Sequence, residues 1–381
     1  MPMQANSTPL IVPLNQLKIW LLIPHVESDD PNIQYYYDFT QGIKEFQQVF
    51  DELKLDWKWQ PVTINNFRKI IDMIAISENG KLPYILNLCD GDEINGVPGI
   101  SVIHYLQEKG LCFSGAGTDF YLNTTSKITM KKFFDAAGVA TPKWETVYDK
   151  EQSTEGIFDR LGSPLIIKPS ISGGGSMGIS LKNVVNNEKE LRDQIQFLYD
   201  GYHGWNLTSD GLIIEQFING PEFTTLIVGS CDRPHECIHY QPAERIFHSS
   251  LPDKERFLSF DRLWEFYENE SAMPEKGNFY EYALPNKDLI PLLHQITLDA
   301  YIAVQGSGYA RLDIRMDAKT KKLYMLEVNA QCGLSDDEDH TSIGAILRLS
   351  GKSFTQLIAE IIQDGFRKYN IASSIKNKKV S

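Results

Sequence analysis

Apolar positions in the first third of the chain follow two different spacings. Beyond Lys18, Ile19-Trp20-Leu21-Leu22-Ile23 is a continuous apolar run that predicts a buried strand, and Tyr84-Ile85-Leu86-Asn87-Leu88 predicts a second. Phe39, Ile43, Phe46, Val49, Phe50 and Leu53 recur every three or four residues and predict a helix within Tyr35 to Leu53. Ile100 to Leu106 predicts another, ending near Gly110. Strand and helix in alternation give βαβ units and a parallel sheet. A further helix is expected from Thr125 to Gly138, where glycine and then Thr141-Pro142 stop it.

The pattern then changes. Leu165 to Pro169, Met177 to Leu181 and Leu212 to Glu215 read as short strands around a helix from Glu188 to Tyr199, a small α+β unit. Phe223 to Val228 and Glu236 to Tyr240 read as a hairpin, followed by a long strand-poor connection at 245–283, a length uncommon unless functional. A helix (Leu289 to Val304), two strands (Tyr309 to Met316, Lys322 to Val328), a loop and a last helix (Phe354 to Phe366) close the chain, with Ser373 to Lys379 read as a frayed basic end. The expected division is an N-terminal parallel α/β unit at 1–124, a central α+β unit at 125–220 and a C-terminal unit at 221–381.

Composition narrows the class. With 381 residues, two or three domains are expected, and 42% hydrophobic residues are enough for packed cores. A net charge of −13 argues against a nucleic-acid or anionic-membrane footprint, which needs clustered Lys and Arg. Five cysteines, an odd number in a large chain, do not read as a disulfide framework and fit a reducing cytoplasm. The run from Leu17 to Pro24 is far short of a bilayer span and lacks the flanks of a signal peptide.

Three sets of residues carry chemistry. Ser170 to Gly178 includes Gly173-Gly174-Gly175-Ser176, whose backbone N–H groups can converge on an anion; a plain flexible turn is the competing reading. Lys127 and Lys168 can neutralise phosphate oxygens, and Glu215-Gln216-Phe217-Ile218 offers backbone hydrogen bonds and an apolar wall to a base, with Glu222 placed for ribose hydroxyls. Each of these charges taken alone reads more readily as a solvated surface charge. The third set is the most specific: alternation puts Arg311 with Asp313, and Glu327 with Asn329, on single faces of adjacent strands. Two carboxylates and an amide oxygen suit Mg²⁺ bridging to phosphates.

In this order, Lys127, Ile166-Ile167-Lys168-Pro169, the Gly/Ser loop, Ile214 to Phe223, Ala310-Arg311-Leu312-Asp313 and Leu326-Glu327-Val328-Asn329 resemble the ATP-grasp ligases, most closely the D-alanine–D-alanine ligase branch. The resemblance covers roughly residues 80–365 and implies a three-domain ATP-grasp fold, α/β and α+β, in an enzyme that uses ATP and two Mg²⁺ ions, or Mn²⁺ in their place. A carboxylate or comparable oxygen would be phosphorylated and an amine would displace phosphate. Carried over, Lys127, Lys168, Gly174, Gly175 and Ser176 hold the phosphates, Glu215 to Ile218 face adenine and Glu222 takes the ribose. Asp313, Glu327 and Asn329 ligate metal, and Arg311 with Ser176 serves the reacting centre. The family also implies small-molecule partners, an acceptor and an amino acid, and a homodimer formed through the N-terminal unit.

The substrate end departs from the D-alanine enzymes. Their N-terminal ammonium-binding turn is reduced here to Glu27, their Leu-His-Gly is Leu88-Cys89-Asp90-Gly91, and their mobile-loop Lys-Tyr aligns with Leu263-Trp264. Gln331-Cys332-Gly333-Leu334-Ser335 and the acidic run starting at Asp336, ending before Thr341-Ser342, replace their final substrate loop. Glu27, Asp90, Trp264, Gly333, Ser335, Asp336, Thr341 and Ser342 are therefore the candidate substrate residues. Such changes imply a changed substrate. The ligases that attach Thr or Ser to mycosporine-glycine resemble the D-alanine branch in this partial way, and the resemblance implies that reaction, with cell-wall D-alanine–D-alanine ligation and non-catalytic ATP binding as the alternatives.

Overall fold

The computed structural model of the chain describes residues 16–27, 39–76, 80–171, 177–260, 262, 278–337 and 341–380, with side chains to 369. Its first sheet has the order β2-β1-β3-β4 and is parallel throughout. Its elements run β1 (Leu17–Pro24), α1 (Thr40–Leu53), β2 (Asp56–Val62), α2 (Phe67–Ala75), β3 (Leu82–Asn87), α3 (Ile100–Glu108), β4 (Cys112–Phe113) and α4 (Thr118–Thr125). The apolar run of β1 is central and buried, as its composition requires. The segment β2-α2 was not expected from the pattern. As an edge strand β2 alternates exposed Asp56 and Lys58 with Trp57 and Trp59, which cover α1, and Pro61 is tolerated only at such an edge.

The second sheet, β5-β8-β6-β7, is antiparallel. It comprises α5 (Lys127–Ala137), β5 (Trp144–Val147), α6 (Ile157–Leu161), β6 (Leu165–Pro169), β7 (Val184–Val185), α7 (Glu188–Asp200) and β8 (Leu212–Gln216). The helix expected from Thr125 to Gly138 is α5, begun by the Ser126 hydroxyl accepting from the Thr129 N–H and closed by Gly138 in the left-handed region; α4, before it, was not expected. Met177 to Leu181 is not a strand. Gly178 takes φ +76°, and the buried Asn183 amide donates to the carbonyls of Ile167 and Gly178, which curls the segment into a 3-10 turn.

The third sheet has the order β12-β11-β9-β13-β14, with β10 paired to β9, all antiparallel. It is built from β9 (Glu222–Ser230), β10 (Ile238–His239), β11 (Ala243–Phe247), β12 (Tyr280–Ala283), α8 (Ile290–Ala303), β13 (Ser307–Met316), β14 (Leu323–Ala330), α9 (Ser342–Ser350) and α10 (Phe354–Val380). Both ends of the connection read as strand-poor are therefore strands: β11 and β12 pair across it, and 263–277 lies outside the described residues. The tail read as frayed continues α10.

One face of this sheet, with Phe223, Ile227, Leu312 and Ile314, packs on Leu293, Ala300 and Tyr301 of α8, in a core that continues to Trp20 and Ile85. The opposite face, with Leu226, Val228 and Tyr309, packs on Ile343, Leu357 and Ile361. Each such side chain fully buried contributes ~1.5–3 kcal/mol. The central sheet has its own core of Leu165, Ile167, Leu191, Leu212 and Ile214, which leaves a cleft between it and the third sheet. All five cysteines are free, and among the described residues no helix is long and apolar enough to cross a membrane.

Candidate active site

Strand period and register assemble the charged groups. Tyr309, Arg311, Asp313 and Arg315 alternate on β13, and antiparallel pairing sets Arg311 against Asn329 and Asp313 against Glu327 on β14. The Asn329 amide donates to Asp313 Oδ2 at 3.1 Å, and Arg311 Nη2 lies 3.2 Å from the same oxygen. Asp313 Oδ1 and Arg311 Nε are buried with no partner among the described residues. Unsatisfied buried atoms of this kind call for a ligand.

Across the cleft, the start of α5 is tied to the end of β6: the Lys127 N–H donates to the Ser170 carbonyl at 2.9 Å, and the Ser126 and Ser170 hydroxyls both donate to Asp210. This brings Lys127 Nζ to 3.3 Å from Glu327 Oε2. Burial pushes the Glu327 carboxyl up, but Lys127, Lys168 and Arg311 together hold it below its ordinary value.

Two buried carboxylates anchor the cleft. Glu215, on β8, is 2% exposed; Lys168 bonds its Oε1 and Lys131 Nζ lies 2.9 Å from its Oε2. Burial raises this carboxyl and the two ammonium groups outweigh it, holding it down at about 2. Lys131 also reaches Thr141 Oγ1 at 2.5 Å. Glu222, 5% exposed, lies in a cross-strand row between Arg245 on β11 and Arg315 on β13. Arg245 bonds its Oε1, and Arg315 Nε donates to its Oε2 at 2.9 Å. Burial raises Glu222, and the two guanidiniums bring it below its ordinary value.

The cleft, about 780 Å³ including space open to solvent, is lined by Lys168, Glu215, Gln216, Phe217, Ile218, Glu222, Arg311, Asp313 and Glu327 among others. The structure thus brings most of the sequence-derived set into one place. Phe217 packs edge-on against Phe257, with ring centroids 5.9 Å apart, and the Ile218 carbonyl accepts from Arg315 at 2.8 Å. Gly174, Gly175, Ser176 and Trp264 lie outside the described residues. Glu27 is exposed just beyond β1. The Ser335 hydroxyl and the Asp336 N–H donate to Glu45 on α1, Thr341 caps α9 through Gly344 N–H, and Ser342 is buried in that first turn. Gly333 lies in the loop after β14.

Three contributors escaped the sequence reading. Lys131 follows Lys127 by four residues, one helical turn, and Arg315 continues the alternation of Arg311 and Asp313, so both carried a signal. Arg245 carried none, because its strand was not expected. Among the described residues no three His, Cys, Asp or Glu side chains converge as a metal-binding group. The donor set here is two carboxylates and an amide oxygen, with an unsatisfied Asp313 Oδ1, a hard-oxygen set that fits Mg²⁺ completed by phosphate oxygens.

The family model described as D-ala D-ala ligase C-terminus matches residues 133–363. The D-alanine–D-alanine ligase of Synechococcus sp. (strain JA-2-3B'a(2-13)) is 26% identical over 280 residues, 70% of this chain and 71% of that protein. The enzyme of the same name from Albidiferax ferrireducens is 25% identical over 268 residues, 70% of this chain and 68% of its own. Among solved structures, the ATP complex of D-alanine–D-alanine ligase from Bacillus anthracis superposes with a TM-score of 0.66 at 20% identity, covering 93% of this chain and 99% of that one. VanG D-Ala:D-Ser ligase from Enterococcus faecalis gives 0.64 at 16%, covering 93% and 100%. These likenesses show the fold, the ATP-grasp architecture expected from the motif order.

Proposed function

The chain belongs to the D-alanine–D-alanine ligase C-terminus family, and on that basis we propose that it is an ATP-dependent ligase joining an amino-acid amine to a carboxylate with release of ADP and phosphate. The observation that carries the reading is the register of β13 and β14, which sets Arg311, Asp313, Glu327 and Asn329 in one patch facing Lys127 and Lys168. In this reading ATP lies in the cleft, with its base against Phe217 and Ile218. Lys127 and Lys168 hold phosphate oxygens, a role proposed also for Gly174, Gly175 and Ser176 from the motif order. The present partners of the two lysines, Glu327 and Glu215, keep both ammonium groups in place before nucleotide arrives. Asp313, Glu327 and Asn329 would hold Mg²⁺, which supplies charge neutralisation of the phosphates when bound.

The chemistry balances as two displacements. A carboxylate oxygen of the first substrate attacks the γ-phosphorus as the β–γ bridge breaks and ADP leaves. The amine of the second substrate then forms the C–N bond, the C–O bond breaks, and phosphate departs with the carboxylate oxygen. Arg311, half-buried beside Asp313, stabilises the negative charge that develops on the carbonyl. Glu222 positions the ribose end through Arg245 and Arg315, which already occupy both its oxygens.

Relatives named D-alanine–D-alanine ligase make D-alanine the first pair to test, and the mycosporine-glycine reading draws no support from them. A changed second substrate stays in play on one observation, the replacement of the family's Leu-His-Gly by Leu88-Cys89-Asp90-Gly91. Domain limits at 124 and 220, a homodimer through the N-terminal unit and a cytoplasmic location belong to the same proposal; the three sheets support the first. The test is isotopic: with substrate carboxylate labelled by ¹⁸O, one label atom is expected in the released phosphate. Phosphate without label would overturn the acyl-phosphate route.

A further inference from the structure

Asp210 stands two residues before β8, where the pairing of β6 with β8 ends in a last bond from the Ser170 N–H to the Gly211 carbonyl at 3.1 Å. It lies in none of the motifs that pointed to the site, yet its Oδ2 accepts both the Ser126 hydroxyl at 2.7 Å and the Ser170 hydroxyl at 2.5 Å. Both serines are buried, and they come from distant segments: Ser126 directly precedes Lys127, and Ser170 follows Lys168 by two positions.

The direction of those two hydroxyl protons decides how α5 begins. An α-helix starts with N–H groups that have no partner inside it. Here the Lys127 N–H donates to the Ser170 carbonyl at 2.9 Å, the Ile128 N–H to the Ser170 hydroxyl at 3.3 Å and the Thr129 N–H to the Ser126 hydroxyl at 3.0 Å. Each serine oxygen therefore acts as an acceptor toward α5 and sends its single proton elsewhere. The Asp210 carboxylate receives both protons as a charge-assisted acceptor, and its charge lies at the positive end of the helix. The two hydroxyls are 3.2 Å apart, so without Asp210 one would donate to the other and the second would have no acceptor in this cluster.

We propose that Asp210 is a positioning residue for the nucleotide phosphates: through Ser126 and Ser170 it locks the start of α5 to the end of β6 and so sets the separation of Lys127 from Lys168. The inference rests on the ligase reading above and names what that reading leaves open, how two lysines from separate segments are kept in register for one ligand. Lys127 reaches Glu327 on the third sheet, whereas Lys168 is held by Glu215 within the second. The two ammonium groups thus take their contacts from different sheets, and the Asp210 cluster ties together the segments that carry them. A shift of ~1 Å between these segments would misplace a phosphate that both lysines must touch.

The test uses the full-length protein with Mg²⁺, titrated calorimetrically with the non-hydrolysable ATP analogue AMP-PNP, alone and in competition with adenosine, which carries the base and ribose without phosphate. Asp210→Ala is expected to weaken AMP-PNP by about 10–100-fold while the adenosine affinity obtained from competition stays at the wild-type value. Asp210→Asn, whose amide oxygen still accepts both hydroxyls without the charge, is expected to lose less, and it carries the same comparison where Asp210→Ala does not fold. The Ser126→Ala/Ser170→Ala protein should match Asp210→Ala, and combining all three substitutions should weaken AMP-PNP no further, because they act on one cluster. AMP-PNP affinity equal to wild type in both Asp210 variants, a loss shared equally by adenosine, or losses that add in the combined variant would each overturn the assignment. Failure of wild type to bind AMP-PNP would instead overturn the nucleotide reading on which it rests.

Discussion

Replacing Lys131 by Met tests the electrostatics of the cleft most sharply, because Lys131 and Glu215 are each only about 2% exposed and lie 2.9 Å apart. Holding the Glu215 carboxyl at about 2, against an ordinary 4.5, corresponds to about 3 kcal/mol of stability at neutral pH. Breaking a buried pair from one side costs ~3–5 kcal/mol by precedent. Lys168 remains to share the carboxylate in Lys131→Met, so a loss of ~2–3 kcal/mol is expected. The depressed carboxyl fixes the sign with pH: its contribution is complete above 4.5 and disappears as pH falls toward about 2. The assay is denaturant unfolding of four proteins at pH 7: wild type, Lys131→Met, Glu215→Gln and the double variant. The double variant is expected to be more stable than Lys131→Met alone, because no buried carboxylate is left with one partner. Additive losses, or a Lys131→Met protein as stable as wild type, would refute the reasoning.

Glu327→Gln removes an anionic donor at constant size, so turnover should fall by ~100-fold or more at ordinary Mg²⁺ while the thermal midpoint changes little, read by phosphate release and calorimetry. Glu222→Gln leaves the buried Arg245 and Arg315 without their counter-charge and should destabilise the apo protein by ~3–5 kcal/mol; an effect confined to nucleotide affinity would show that Glu222 acts on the ribose alone. For Asp90 the sign is the reverse of Glu215. Its carboxyl is raised to about 7 in the fold, so stability should decline as pH rises from about 4 to 7, and Asp90→Asn should flatten that slope in thermal melts.

The parts of the site legible in the sequence were those whose spacing is set within one strand. Arg311 with Asp313 and Glu327 with Asn329 obey period two, and the β6 run ends in Lys168-Pro169 as its apolar pattern requires. What the sequence concealed depends on pairing between distant segments. Arg245, Glu222 and Arg315 form one row only because β11, β9 and β13 align, although Glu222 and Arg315 stand 93 residues apart and the connection read as strand-poor lies between them. β2 was missed because an edge strand carries polar residues and a proline, and the 177–181 strand was expected wrongly because Asn183, a polar residue downstream, decides that turn by capturing carbonyls. The Gln331 clamp joining Cys89 and Ala116 to the third sheet has no local signature at all.

The central claim is that substrate-dependent ATP turnover occurs at the β13–β14 patch, and it is tested most directly by measuring phosphate release and ligated product together, the latter by mass spectrometry, in wild type and Arg311→Met. With Mg²⁺, ATP, D-alanine and a panel of amino acids, wild type should release one phosphate per C–N bond formed with at least one pair, and Arg311→Met should bind nucleotide normally yet lose ~100-fold or more of that turnover. Turnover unchanged in Arg311→Met, or phosphate release with no ligated product from any pair, would contradict it.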